Sequence, residues 1–558
     1  MLINIALPFA NIWIWKELLN EITQSASSHR TVLLYTMFFL FIKTTLYVVA
    51  KIDEYISTRY SDELQFYIES IMIDKTSHIE LSFFDYASMG DKIKRTRAFF
   101  GETKNTAWIC FGIISEAVSI IFSIVLVCQY NWWVAVITLC VIVPYTVYNK
   151  KHVKKMYEIE KSQVRDSRKM DYFHSSILNI DNQFEFKLNN IGDYFVKKNK
   201  EIWERLFVVN RHIDIKHRIV SVGLLTLNIS SEILVIVLSA IEVVSKKIGV
   251  GDLQYNISIV ARLREQLTGL FNDINSFVIN NSKLSELREF VNMKSKFEKC
   301  GTIEPNDNPR IEFKDVCFRY PNTTNFVLNN CSFVVMPNEK LSLVGLNGSG
   351  KSTIIKLLFR FYDPEKGSIY IDNRDIKEYN VYSLRKVFGV LFQDYVTYCL
   401  PLREIIALSD FWEKNNDNKL SKACSLSGAN SFIESFEEGF DTIIGRYYAD
   451  NGKDLSGGQW QLVGLARTYF RDTNVIILDE PSAALDPIAE DRIFNQLYAL
   501  SENKTAITIS HRLSNTTESD RIIVLEDGKI IEQGSFKQLI EEKGKYAHLF
   551  NLQAKKYL

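Results

Sequence analysis

The run Gly345-Leu346-Asn347-Gly348-Ser349-Gly350-Lys351-Ser352 fits the pattern G-x-x-x-x-G-K-[ST]. Glycines at these positions let consecutive backbone N–H groups point at phosphate oxygens where a helix begins. The lysine of such a loop, Lys351, reaches the β- and γ-phosphates, and the hydroxyl of Ser352 suits Mg²⁺. Thr353 opens the helix behind them and is counted with the nucleotide-binding stretch. The run sits where the pattern requires, after the apolar stretch Leu341–Val344 and before the apolar helix Thr353–Phe359. Further on, Val475-Ile476-Ile477-Leu478 reads as a strand buried on both faces, delivering Asp479 and Glu480 at its C-terminal end. Asp479 is then a metal ligand, and Glu480 is placed to orient or deprotonate an attacking water. These pieces predict a nucleoside-triphosphatase core. Alone, they do not separate a transporter from a kinase or a helicase.

The elements around this chemistry divide the chain. At 558 residues it is too long for one ordinary domain. Lys+Arg and Asp+Glu are equal at 66 each, so charge gives no reason to expect a nucleic-acid partner. Eight cysteines are scattered without a C-x-x-C pair and read as packing residues. Apolar runs crowd the region before about residue 285, whereas short strands and helices alternate after about 308. A membrane span needs about 20 mostly apolar residues. Thr31–Ala50, Thr106–Val127, Trp132–Tyr148 and Ile219–Val244 qualify, with Lys43, Glu116 and Glu232 as interruptions. Leu2–Trp15 is short of a span before Lys16, as expected of a first helix whose chain begins late. Tyr255–Ile279 carries Arg262, Arg264, Glu265 and Asp273, and escapes hydropathy alone. Charges inside spans face a cavity or a partner, a buried ion pair being the plain alternative for Glu116 and Glu232.

The basic stretch from Lys150 to Lys169 places the connections after the second and fourth helices in the cytoplasm. Each is long, polar and periodic, which predicts helical extensions with a short crosswise helix at the tip. The tips are placed at Ser82–Arg95 and Asn179–Phe195, where Phe83, Phe84, Tyr86, Phe184 and Phe186 stand among polar residues. They are expected to dock near Gln393.

One motif separates the function classes. Leu455-Ser456-Gly457-Gly458-Gln459, between the phosphate loop and the acidic strand, resembles the signature of the ATP-binding-cassette family. The resemblance continues around it. Tyr320 matches the aromatic that stacks on adenine, and Gln393 the glutamine that touches Mg²⁺ and the water. Asp486 matches the loop that crosses the dimer interface, and His511 the histidine that contacts the γ-phosphate as part of the catalytic set with Glu480. With helices fused ahead of the ATPase, the whole chain resembles the exporter branch. Strings such as LSGGQWQ at 455–461, DEPSAALDP at 479–487, VLFQDYV at 390–396 and FKLNNIGDYF at 186–195 are similar to lantibiotic (nisin-type) peptide exporters. One departure is Gly445–Lys453, which lacks the T-E-V-G-E-R-G string common in exporters.

What the resemblance implies is definite. The fold is an all-α membrane domain of six helices joined to a soluble α/β P-loop ATPase domain, the type IV exporter architecture. The domains span 1–290 and 309–558, with a linker over 291–308. The activity is ATP hydrolysis coupled to transport across the cell membrane, with the ATPase domain in the cytoplasm and ATP and Mg²⁺ as cofactors. Two copies meet head to tail, so that Leu455–Gln459 of one completes the ATP site of the other. The expected cargo is a ribosomally made, modified peptide, its leader cut by a separate enzyme. The alternatives are a lipid, lipid-linked oligosaccharide or drug exporter, or, from another class, a P-loop ATPase without transport. The spans argue against the last.

Overall fold

The computed structural model describes residues 2–554 except 24–27, 87–88, 91, 94–95, 97–105, 295–300, 481–503 and 511. Among the described residues, three helices are long and apolar enough to cross a membrane: His29–His78, Thr106–Leu178 and Gly192–Val244. The first has 50 residues, about 75 Å at ~1.5 Å per residue. That is far more than the ~30 Å of hydrocarbon it must cross, so a polar length is left to extend beyond the bilayer. The run Thr106–Leu178 is two helices, divided by extended backbone at Asn131 (φ −162°, ψ 112°). With Leu2–Thr23 and Val250–Val291, the described residues of the membrane domain hold six long helices.

Two of these differ from the sequence expectation for one physical reason. Leu2–Thr23 continues past Lys16 to a full 22 residues. Lys16 does not end it, because its ammonium lies 3.0 Å from the Asp252 carboxylate on the last helix. That pairing removes the cost of a lone charge among apolar neighbours. Asn20 adds its carboxamide oxygen to the Gly251 N–H at 2.7 Å, capping the last helix where it begins. One of the charges that hide the last helix from hydropathy is likewise paired: the Arg264 guanidinium donates to Glu232 at 2.6 Å. Glu232 is therefore an ion-pair residue. The packed seam of this unit joins Ile5, Phe9, Ile120, Val127, Val134, Ile142, Ile259 and Leu263, with the Ser123 hydroxyl donating to Gln266 inside it at 2.7 Å.

Both tips contain short helices, Leu81–Phe84 and Gln183–Asn189. The second stops at Asn190, whose left-handed backbone (φ 55°) ends the helix as a terminal asparagine does. By compactness the chain forms two units, Met1–His78 with Ala87–Met293, and Lys294–Leu558 with Ile79–Tyr86. The leading part of the first tip, up to Tyr86, thus groups with the ATPase body.

In that body a four-stranded antiparallel sheet has the order β2 (Leu328–Val335), β1 (Ile311–Phe318), β4 (Lys366–Ile371), β5 (Arg374–Asp375). A six-stranded sheet has the order β10 (Lys529–Gly534), β9 (Arg521–Glu526), β3 (Lys340–Gly345), β8 (Thr505–Ile509), β7 (Val475–Asp479), β6 (Phe388–Leu391). All of its pairings are parallel except β10 with β9. Every residue of β7 and β8 is buried, as uninterrupted apolar runs demand. One core fills the space between the two sheets and the helix Lys351–Leu358; a second lies under the helices 402–407, 417–427 and 457–470. The seven described cysteines are free thiols, with Cys317, Cys331 and Cys424 buried and Cys128 and Cys140 exposed on membrane helices.

Candidate functional site

Open parallel sheets bind ligands beyond the C-terminal ends of their strands. The phosphate loop leaves β3 there, and Asp479–Glu480 leave β7. Only β8 separates these strands, so the two ends lie about 10 Å apart, twice the ~4.8 Å strand spacing. Residues 347–353, with Tyr320, Val327, Gln393 and Glu480, line a cavity of about 670 Å³ at this place.

The loop's geometry follows from its glycines. Gly348 and Gly350 take φ of 81° and 103°, where a side chain is strained. A Cβ on Gly350 would also sit 2.6 Å from a Leu328 methyl. Lys351 is folded back, donating to the carbonyls of Gly345 (2.8 Å) and Leu346 (3.1 Å). Burial holds its ammonium below the usual lysine range, while the charges of Glu480 and Asp479 pull the other way. A desolvated cation beside a helix N-terminus favours an anion. The buried Ser349 hydroxyl has no partner among the described residues, and it lines the same cavity. A polyphosphate chain fits these features. Ser352 and Gln393, both in the cavity lining, carry hard oxygen donors of the kind Mg²⁺ takes, while Asp479, at the buried end of β7, is not among the lining residues.

Tyr320 forms the cavity's far wall. Its hydroxyl shares a 3.1 Å hydrogen bond with Thr353, and the Lys356 ammonium lies 5.3 Å from its ring centre. Glu480 adopts φ 52°, a left-handed conformation that costs a non-glycine residue about 1–3 kcal/mol. Its N–H donates to Ile509 on β8 at 2.9 Å, and Gln393 donates from Nε2 to its carboxylate at 2.8 Å. Strand pairing thus holds the backbone while Gln393 aims the side chain.

The signature residues are placed elsewhere. Ser456 caps the helix Gly457–Phe470, accepting from the Gln459 N–H while the Gln459 side chain accepts from the Ser456 N–H at 2.9 Å. Gly457 and Gly458 are its first two residues, so their N–H groups have no acceptor within the helix. None of Leu455–Gln459 is among the residues lining the cavity above. His511 and Asp486 lie outside the described residues.

The first tip adds contacts that sequence reasoning missed. Asp85, just past Leu81–Phe84, accepts a hydrogen bond from the Tyr362 hydroxyl. Glu80, Ser82 and Tyr86 line a second cavity, of about 430 Å³, together with Tyr320 and Tyr362. The tip therefore sits beside the aromatic wall of the nucleotide cavity. No local motif marks Tyr362 for this role. A tyrosine placed to bond the tip carries no pattern of its own.

A family model described as ABC transporter matches residues 328–483. The chain is 30% identical over 559 residues to the nisin transport ATP-binding protein of Lactococcus lactis subsp. lactis, covering 97% of this chain and 90% of that one. It is 29% identical over 549 residues to the subtilin transport ATP-binding protein of Bacillus subtilis, covering 96% and 87%. The fold matches a bacterial Atm1-family ABC exporter solved with ATP bound, at a TM-score of 0.80 and 22% identity over 99% of this chain and 97% of that one. A cassette that binds and hydrolyses ATP, joined to a multi-pass helical membrane domain of exporter architecture, follows from these matches and the fold. The chain belongs to the ATP-binding-cassette transporter family.

Proposed function

We propose that the chain is a half-transporter that works as a homodimer and exports a modified peptide from the cytoplasm across the cell membrane. The observation that carries the dimer is the separation of the two halves of the ATP site. Residues 347–353 and Glu480 line one cavity, while Ser456–Gly458 offer their N–H groups from a helix start outside that lining. A second copy, turned head to tail, brings its signature to the open side. Lys351 and the loop N–H groups then hold the phosphates, and Ser352, Gln393 and Asp479 would hold Mg²⁺, which would supply positive charge against the phosphates. Glu480 takes the proton of the attacking water, oriented by Gln393. His511 approaches the γ-phosphate, and Asp486 crosses the dimer interface. Leu455–Gln459 close the site from the partner.

The relatives named for nisin and subtilin transport, matched over nearly their full length, support a peptide cargo. The deciding measurement is ATPase stimulation of the purified dimer in nanodiscs by panels of modified peptides, lipids and drugs. Peptides are expected to stimulate at the lowest concentrations. Stimulation by lipids or drugs alone would assign another cargo.

A further inference from the structure

We propose that Tyr395 is a positioning residue that ties the Gln393 loop to the signature helix, so that each nucleotide cavity governs the signature serving the other. The proposal rests on the reading that the signature acts on the partner's ATP. Three hydrogen bonds form a closed circuit. Gln393 donates to the Glu480 carboxylate at 2.8 Å. Two residues on, the Tyr395 hydroxyl donates to the carbonyl of Gly457 at 2.9 Å, at the first residue of the signature helix. One turn further, Gln461, only 2% exposed, donates to the backbone carbonyl of Glu480 at 3.5 Å.

The circuit's members suit a relay. The Gly457 carbonyl has two lone pairs, and its helix partner uses one, so the phenol adds a bond without breaking the helix. Gly457 and Gly458 have no side chains, leaving the Ser456 and Gln459 cap and this bond to orient the first turn. The Tyr395 ring packs against the core under that helix, beside Tyr398, Leu400 and Trp460. The ring is therefore a stiff arm with its polar end on the carbonyl. A shift of Gln393 then moves the N–H groups of Gly457 and Gly458 through the arm. Through the dimer these face the other ATP.

The test is Tyr395→Phe in the full-length exporter in nanodiscs, which removes the hydroxyl and keeps the ring. ADP offers no γ-phosphate to the signature, so its affinity should stay within about twofold. ATP turnover should fall about fivefold, the worth of one neutral hydrogen bond. The Hill coefficient for ATP should drop below the wild-type value toward one. Unchanged turnover and Hill coefficient would overturn the relay. So would a parallel loss of ADP affinity and thermal stability, since the hydroxyl would then only hold the domain together. Cysteines at Ser456 and Ser349 in a cysteine-free background test the underlying reading. Cross-links between chains on adding ATP uphold it. Cross-links within one chain would sink the partner arrangement, and the relay with it.

Discussion

Tyr362 donates a 2.9 Å hydrogen bond to the carboxylate of Asp85, and its ring meets that of Tyr320 edge-on at 5.4 Å. Burial and the Asp85 charge both push the Tyr362 phenol well above its usual range, so it stays a donor at any physiological pH. The first tip thereby touches the aromatic wall of the nucleotide cavity through one intermediate ring. Asp85→Ala and Tyr362→Phe should each leave basal ATP turnover within about twofold and cut export several-fold, because a lost charge-assisted bond is worth ~1.5–3 kcal/mol of coupling. Export and ATPase measured on the same proteoliposomes decide it. Undiminished export in both variants would remove the contact from the transmission route.

Glu480→Gln should bind ATP and lose about 10²–10⁴-fold in hydrolysis, the usual contribution of a positioned general base. The amide oxygen can still accept from Gln393, so the loop geometry survives the change. Single-turnover hydrolysis on the purified dimer checks this. Turnover near wild type would transfer the role to another group.

Much of this site is legible in the sequence because it is local. The phosphate loop, the β7 strand with its two acids, and the signature cap each lie within a short string whose pattern encodes the backbone shape. What escapes sequence reading is long-range pairing. Lys16 ends an apolar run on paper, yet its partner Asp252 lies on the last membrane helix. Arg264 hides the last helix until Glu232 on the preceding one answers it. Tyr362 and Asp85 are ordinary residues until folding places them together. The direction of a side chain on a short helix is equally invisible. Phe184 and Phe186 read alike, but Phe186 packs on Phe195 at 4.8 Å while Phe184 is 80% exposed.

Breaking the Glu232–Arg264 pair should destabilise the membrane domain. The side chains keep 19% and 24% of their exposure, so a single Glu232→Gln should cost on the order of 2 kcal/mol, under the ~3–5 kcal/mol of a fully buried pair. The exchanged pair Glu232→Arg with Arg264→Glu should recover part of the loss. Thermal unfolding in nanodiscs measures both. Equal damage in the single variant and the exchange would argue for packing in place of charge.

Stability should also fall in mild acid because of His217. It lies in the helix Gly192–Val244, its ring stacked on His152 at 3.6 Å and 4°. Burial, then the His152 ring and Arg218, hold its pKa below the usual value, with Asp214 opposing. A histidine whose folded pKa is lowered contributes stability that is complete above about pH 6.5 and is lost as pH falls through the folded pKa. His217→Gln should therefore narrow the difference in melting temperature between pH 7.5 and pH 5.5. A variant whose pH dependence matches wild type would clear the stack of this role.

The second tip presents Ile180, Phe184 and Leu188 at 80%, 80% and 72% exposure, spaced by four residues along one side. Apolar side chains in such a row cost free energy in water and mark a docking face. Phe186, two residues on and so about 200° round the helix, is held in an aromatic cluster with Phe195 and Phe173. If the partner's ATPase domain receives this tip, a cysteine at Phe184 should cross-link between chains to one near Tyr395, and a cysteine at Phe186 should react far less. Phe184→Ala should lower export while sparing thermal stability, and Phe186→Ala should do the reverse, since only the second removes an internal contact. A cysteine at Phe84 on the first tip should instead cross-link within its own chain to one near Tyr320, following the Asp85–Tyr362 contact. Cross-links from Phe186 as efficient as those from Phe184 would mean the exposed row is not the docking face. In that case the tip must turn before it transmits force.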